Sequence, residues 1–283
     1  MTAQTLYEQI LRKQSFLCVG LDSDITKLPE HLLSLPEPLF SFNRAIIDAT
    51  AAYAVAFKPN TAFYESLGAS GWAQLEKTVQ YIRQCYPEMF IIADAKRGDV
   101  GNTSRQYAKT FFETMDVDAV TLSPYMGRDA VQPFLEYGGK WAVLLALTSN
   151  ASAADFETLT VDGGRKLYET VLEKSSAWGT ADNIMYVVGA TQAAMLADIR
   201  KIIPHHFLLV PGIGAQGGSL QEVVEYGINE RIGLLVNSSR EIIFAGSSRR
   251  FAQAAAEKAH EIQSVLRGAV NRSTINGVSA LSF

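Results

Sequence analysis

The chain has 283 residues, 48% of them hydrophobic, and a formal net charge of −4. That is enough apolar material for one large core or two small ones, and the acidic balance argues against nucleic acid as a partner, because phosphate backbones call for a basic face. The two cysteines, Cys18 and Cys85, lack metal-ligand spacing and read as reduced thiols of a cytoplasmic protein.

The N-terminal "MTAQTLYEQILRKQ" reads as a polar amphipathic helix over 2–14, without the apolar centre of a signal peptide. No apolar run approaches membrane-spanning length, so no membrane partner is expected. Eight apolar, β-branched-rich runs then follow: 16–22, 54–60, 89–96, 117–124, 141–148, 183–190, 207–214 and 231–239. Most are continuously apolar and do not alternate, as parallel strands buried on both faces should be. Segments with helical spacing lie between them, such as 72–85 and 164–178, and another, 248–266, follows the last run. Eight strand–helix pairs in about 250 residues match the count of a (β/α)8, or TIM, barrel; an open doubly wound sheet gives the same alternation. Nothing marks a linker, so a single domain over 1–283 is expected, with the barrel core at 16–266. The aperiodic segment 267–283 reads as a loosely held tail.

Barrels carry chemistry where strands end, at their C-terminal side. The first run ends at Asp22, the second at Lys58, and the third at Asp94, Lys96 and, beyond Gly98, Asp99. Asp94 and Lys96 are two apart, which on a regular strand puts them on one face. Adjacent strands lie about 4.8 Å apart, so Asp22, Lys58, Asp94 and Lys96 can converge into an alternating array whose members keep one another ionised. A salt-bridge network at the barrel rim is the plainer alternative. The fifth run ends at Thr148, Ser149 and Asn150. The seventh ends in "PGIGAQGG" (211–218), whose glycines let backbone N–H groups approach an anion. Phosphate sites of barrels are commonly built after strands seven and eight, and Arg240, just past the eighth, supplies a charged fork. A tight connection alone would also use such glycines. His205 and His206 precede strand seven, on the wrong end for catalysis, and His31 and His260 are isolated, so no histidine base or zinc set is assembled. Tyr125, after Pro124, fits either rim packing or ligand contact.

The stretches "LCVGLDSD", "FKPN", "DAKRGDVGNT", "LTSN", "PGIGAQGG" and "NSSR" occur in the order found in orotidine 5′-phosphate decarboxylases, and the chain resembles the longer bacterial branch of that family across 17–240. One departure is visible: that branch usually follows "TSN" with proline and glycine, where this chain has Ala151 and Ser152. The resemblance implies cofactor-free and metal-free decarboxylation of orotidine 5′-monophosphate by a homodimer with shared sites. It implies that Lys58, Asp94, Lys96 and Asp99 form a charged tetrad, with Asp99 and Thr103 reaching across to the partner subunit. It also implies ribose contacts from Asp22 and Lys58 and a pyrimidine contact from Ser149. Phosphate contacts would come from Gln216 and Arg240, beside the loop residues Pro211, Gly212 and Gly214. Three other readings compete. One is a Mg2+-dependent sugar-phosphate decarboxylase or aldolase-type lyase, which shares an Asp-x-Lys-x-x-Asp stretch but needs further carboxylates at neighbouring strand ends. The others are a Schiff-base lyase acting through Lys58 or Lys96, and a nucleotide-binding barrel without catalysis.

Overall fold

The computed structural model describes residues 1–212 and 219–280. Eight parallel strands close into a barrel in sequential order: β1 Leu17–Leu21, β2 Ala56–Pro59, β3 Phe90–Arg97, β4 Ala119–Leu122, β5 Trp141–Leu147, β6 Ile184–Val188, β7 Phe207–Pro211 and β8 Leu234–Ser238. Closure is made by β8 against β1, where Leu17 pairs with Val236 and Val19 with Ser238. Every residue of β1, β6 and β8 is buried, which is why these runs are apolar without alternation.

An N-terminal helix, α1 (Ala3–Lys13), precedes the barrel, and eight further helices, shorter single-turn ones aside, wrap it. They are α2 Pro38–Thr50, α3 Gly68–Cys85, α4 Gly101–Lys109, α5 Arg128–Leu135, α6 Leu167–Ser176, α7 Leu196–Ile202, α8 Leu220–Gly227 and α9 Phe251–Ala280. Local signals set their ends. Pro38 opens α2 at a first-turn position that needs no N–H donor, and the Ser219 hydroxyl accepts the Glu222 N–H at the start of α8. Helix α3 buries Leu75, Val79 and Ile82, spaced i, i+4, i+7, against the barrel.

The end of the barrel nearest the strand N-termini is filled by aromatic rings. Trp141 meets Phe90 edge-on at 5.8 Å and Phe207 at 6.1 Å, and its indole N–H donates to the Met1 carbonyl at 2.7 Å. Such packing leaves the opposite end, where the strands terminate, as the face open to chemistry.

Helix continues into the segment 267–283, for which a loosely held tail is expected from sequence. Helix α9 runs on through Ala280, and its buried stripe, Ala255, Ala259, Ile262, Leu266, Ala269 and Val270, crosses that boundary without a break. Phe251 stacks on Phe42 of α2 at 5.3 Å, and Gln263 donates to the carbonyls of Lys13 and Gln14 at the end of α1. The weak helix formers after Leu266 are held by packing rather than propensity. No described helix is long and apolar enough to cross a membrane.

Candidate active site

The ends of the first three strands meet. Lys58 is 4% exposed at the end of β2, with Nζ 2.8 Å from Asp94 Oδ2 and 3.8 Å from Asp22 Oδ1. From the other side Lys96 Nζ lies 2.7 Å from Asp94 Oδ1. The Thr121 hydroxyl, from β4, also donates to Asp94 Oδ1 at 2.9 Å. Asp94 is thus a buried carboxylate between two ammonium groups and a hydroxyl. Burial by itself would raise its pKa, but Lys58 and Lys96 outweigh that and hold it far below the usual carboxylate range. Burial pulls Lys58 down, and Asp94 and Asp22 more than offset it, so this ammonium stays charged well beyond neutral pH. Beneath them, burial pushes the Cys18 thiol up to about 12, so it is an inert packing residue.

The reason Lys96 reaches Asp94 differs from simple strand parity. β3 bulges at its end: Ala93 pairs with Val120 and Arg97 with Leu122, so three residues of β3 oppose one of β4. Lys96 takes up the bulge with φ of 46°, in the left-handed region. Its side chain is half-exposed and returns to Asp94, which lies on the same strand.

Asp99 lies beyond the strand, where its Oδ1 accepts the Val100 N–H at 2.8 Å. Among the described residues no ion pair joins it to Lys58 or Lys96 in its own chain. Thr103 sits exposed on the first turn of α4. Among the described residues, neither joins the array within this chain.

A cavity links Asp22, Lys58 and Asp94 to Pro211, Gly212 and the β8 end, Asn237 to Glu241. Gly20 makes this approach possible, since a Cβ there would fall 1.8 Å from Ser239 Oγ. Arg240 opens a one-turn helix, Arg240–Ile243, and is exposed beside the cavity, making no ion pair among the described residues. Gly212 has φ of 93°, while Gly214 and Gln216 lie outside the described residues. A larger groove of about 690 Å³ runs between α8 and α9, but it lies on the outside of the barrel, away from the strand ends and their charges.

Several buried polar atoms around the strand ends lack a hydrogen-bond partner among the described residues: Asp22 Oδ1, Ser149 Oγ, Asn237 Oδ1 and Ser238 Oγ. A buried polar atom without a partner costs roughly 1–3 kcal/mol, so their concentration at one end of the barrel marks where a polar ligand gains most. Ser149 is packed against Gly189, where a Cβ would fall 1.9 Å from its Oγ. The Thr148 beside it is clamped by Glu157, which accepts from the Thr148 N–H at 2.7 Å and from its hydroxyl at 2.8 Å. Ala151 and Ser152 are exposed on the loop that follows.

Three participants were not assigned from sequence. Thr121 and Asn237 each interrupt an apolar strand, at "AVTL" and "LLVNS", and that interruption was the available signal. Glu157, ten residues beyond the end of β5, carried none. Tyr125 is 85% exposed and so does not pack the rim. His205 pairs with Glu230 at 2.8 Å at the far end of the barrel.

The chain as a whole has parallels in known proteins. Over 263 residues the chain is 60% identical to proteins named orotidine 5′-phosphate decarboxylase from Phocaeicola vulgatus and Bacteroides fragilis. These alignments cover 93% of this chain and 97% and 96% of those proteins respectively. The solved structure of the Leishmania donovani OMP decarboxylase is 35% identical with a TM-score of 0.77, covering 93% of this chain and 99% of that one. The model of the Orotidine 5′-phosphate decarboxylase / HUMPS family matches residues 15–255, which include all eight strands and the whole charged array, and the chain belongs to that family.

Proposed function

We propose that this chain converts orotidine 5′-monophosphate to UMP and CO2, as its relatives' names state for them. The observation that carries the reading is Asp94 held between Lys58 and Lys96, with the Lys96 side chain half-exposed and Asp94 and Lys58 lining the cavity. Decarboxylation at C6 of orotate leaves an electron pair in the ring plane, where the π-system cannot spread it. A fixed cation beside that carbon is therefore the main stabiliser available. Lys96 fits this role: of its three N–H donors one is committed to Asp94, leaving two for substrate. The C6–carboxylate bond breaks, CO2 departs, the electron pair stays on C6, and a proton from Lys96 Nζ forms the new C6–H bond. The amine left behind regains its proton from water. Asp94, kept ionised, orients Lys96 and stands near the substrate carboxylate.

The remaining roles are those the resemblance implies: Asp22 and Lys58 for the ribose hydroxyls, Ser149 for the pyrimidine, and Arg240 for the phosphate together with Pro211, Gly212, Gly214 and Gln216. Phosphate held far from the reacting carbon provides binding energy that assembles the site. Asp99 and Thr103, which join nothing in their own array, serve the site of a second copy in a homodimer. The reading places the enzyme in the cytoplasm, in the synthesis of UMP.

The Mg2+-dependent branch is less well supported. A divalent cation there would need several carboxylates, whereas the position between Asp22 and Asp94 is taken by the Lys58 ammonium. Among the described residues no three His, Cys, Asp or Glu side chains could jointly hold a metal ion. The test is to incubate the purified protein with orotidine 5′-monophosphate and follow loss of orotate absorbance, before and after dialysis against a chelator. Turnover unchanged by chelation is expected. Loss on chelation with rescue by Mg2+ would overturn the proposal.

A further inference from the structure

Thr121 is 1% exposed in the barrel wall, on a strand otherwise composed of Ala119, Val120 and Leu122. Its hydroxyl oxygen lies 2.9 Å from Asp94 Oδ1 and 2.9 Å from the backbone nitrogen of Lys96. The roles in these two bonds are forced. A backbone N–H can only donate, and an ionised carboxylate can only accept, so the single hydroxyl proton points to Asp94 and a lone pair receives Lys96. The rotor has no freedom left.

The bulge explains why a side chain is needed there. Between the pairs Ala93–Val120 and Arg97–Leu122, residues 94–96 of β3 face Thr121 alone. Two residues in excess break the ladder, and the Lys96 N–H turns away from the carbonyls a regular strand would offer it. Lys96 also holds φ of 46°, a conformation that L-residues other than glycine adopt at a cost and keep only where their surroundings impose it. The bond to Thr121 Oγ1 is the described hydrogen bond made by the Lys96 amide.

We propose that Thr121 is a positioning residue: its hydroxyl ties the bulged backbone of Lys96 to the Asp94 carboxylate and thereby fixes where the Lys96 ammonium stands. The same Asp94 oxygen receives both the Thr121 hydroxyl and Lys96 Nζ, so one hydroxyl sets both ends of the Lys96 side chain. The inference rests on the reading of Lys96 as proton donor in the decarboxylation.

Thr121→Val keeps the shape and removes both hydrogen bonds, while Thr121→Ser keeps the hydroxyl. With orotidine 5′-monophosphate as substrate, and sites counted by UMP binding, Thr121→Val should lose on the order of 10- to 100-fold in kcat, the scale of a misplaced reacting group. KM and UMP affinity should stay within about threefold, because the residue reaches neither ribose nor phosphate, and Thr121→Ser should recover most of the rate. A purely structural residue would lower the number of binding sites instead, leaving kcat per site intact. Hydrogen exchange of the Lys96 amide reads the same bond without substrate: protection should fall in Thr121→Val and persist in Thr121→Ser. A wild-type protein inactive on orotidine 5′-monophosphate but showing that exchange pattern would overturn the decarboxylase reading while supporting the clamp. Wild-type kcat per site in Thr121→Val, or unchanged exchange at Lys96, would overturn the clamp itself.

Discussion

His206 is the last residue before β7, at the end of the barrel away from the charged array. It is 9% exposed, neither ring nitrogen has a hydrogen-bond partner, and the ring meets Tyr186 edge-on at 5.4 Å. Burial, then the nearby Arg200 guanidinium and His205, push its pKa from 6.5 down to about 4. Arg200 cannot move away, because it donates to the carbonyls of Gly227, His206 and Gly233. Above about pH 6.5 the imidazole is neutral in both folded and unfolded chains and has no effect on stability. Between 6.5 and 4 the unfolded chain binds a proton that the folded chain refuses, so stability falls as pH falls. The loss is about 2 kcal/mol at pH 5 and levels off at about 3 kcal/mol below pH 4. For a chain of this size, with an unfolding entropy of about 0.6 kcal/mol/K, 2 kcal/mol corresponds to a Tm change of roughly 3–4 °C. His206→Phe keeps an apolar ring against Tyr186 and removes the titration. Calorimetric melts of both proteins from pH 8 to 4.5 should show wild type losing that much more Tm between pH 7.5 and 5, with the carboxylate contributions common to both and cancelling. Decarboxylation at pH 7.5 should be unaffected by the substitution. Parallel Tm curves would refute the reasoning.

Lys96→Ala should abolish turnover while UMP still binds, measured by calorimetric titration; near-normal turnover would sink the proton-donor role. Arg240→Ala should weaken substrate binding by roughly 1.5–3 kcal/mol, the scale of one lost charged hydrogen-bonding group, seen as a raised KM. Lys96→Ala and Asp99→Ala homodimers should each be nearly inactive, yet their mixture after subunit exchange should regain about a quarter of wild-type activity. Half of the randomly reassorted dimers are then hybrids, and each hybrid has one intact site of two. No recovery after verified exchange would place Asp99 in its own chain's site.

The eight strands were legible because burial on both faces leaves a continuous apolar run, a signal carried within each strand. The polar residues that end them stood out against such runs for the same reason, and Lys58, Asp94 and Asp22 do meet. What escaped depends on register between strands. Parity predicts that Asp94 and Lys96 share a face on a regular strand, but their contact comes instead through a bulge and a left-handed Lys96. Nothing in "DAKRG" announces the bulge, since its partner is a single threonine 25 residues away. The end of α9 escaped for a related reason: Gly268, Asn271 and Ser273 form poor helix by propensity, and the segment is helical because Ala269 and Val270 continue a stripe that packs inward. The strained and register-dependent features therefore lie where local sequence rules are overridden by tertiary structure. At Lys96 that override coincides with the proposed proton donor. A lysine on a regular strand would take its direction from the sheet, whereas one on a bulge takes it from whatever binds its amide and its ammonium. Both of those anchors trace to one threonine hydroxyl on β4 and one carboxylate on β3, so the placement of the Lys96 ammonium rests on the neighbouring strand as well as on the strand that carries it.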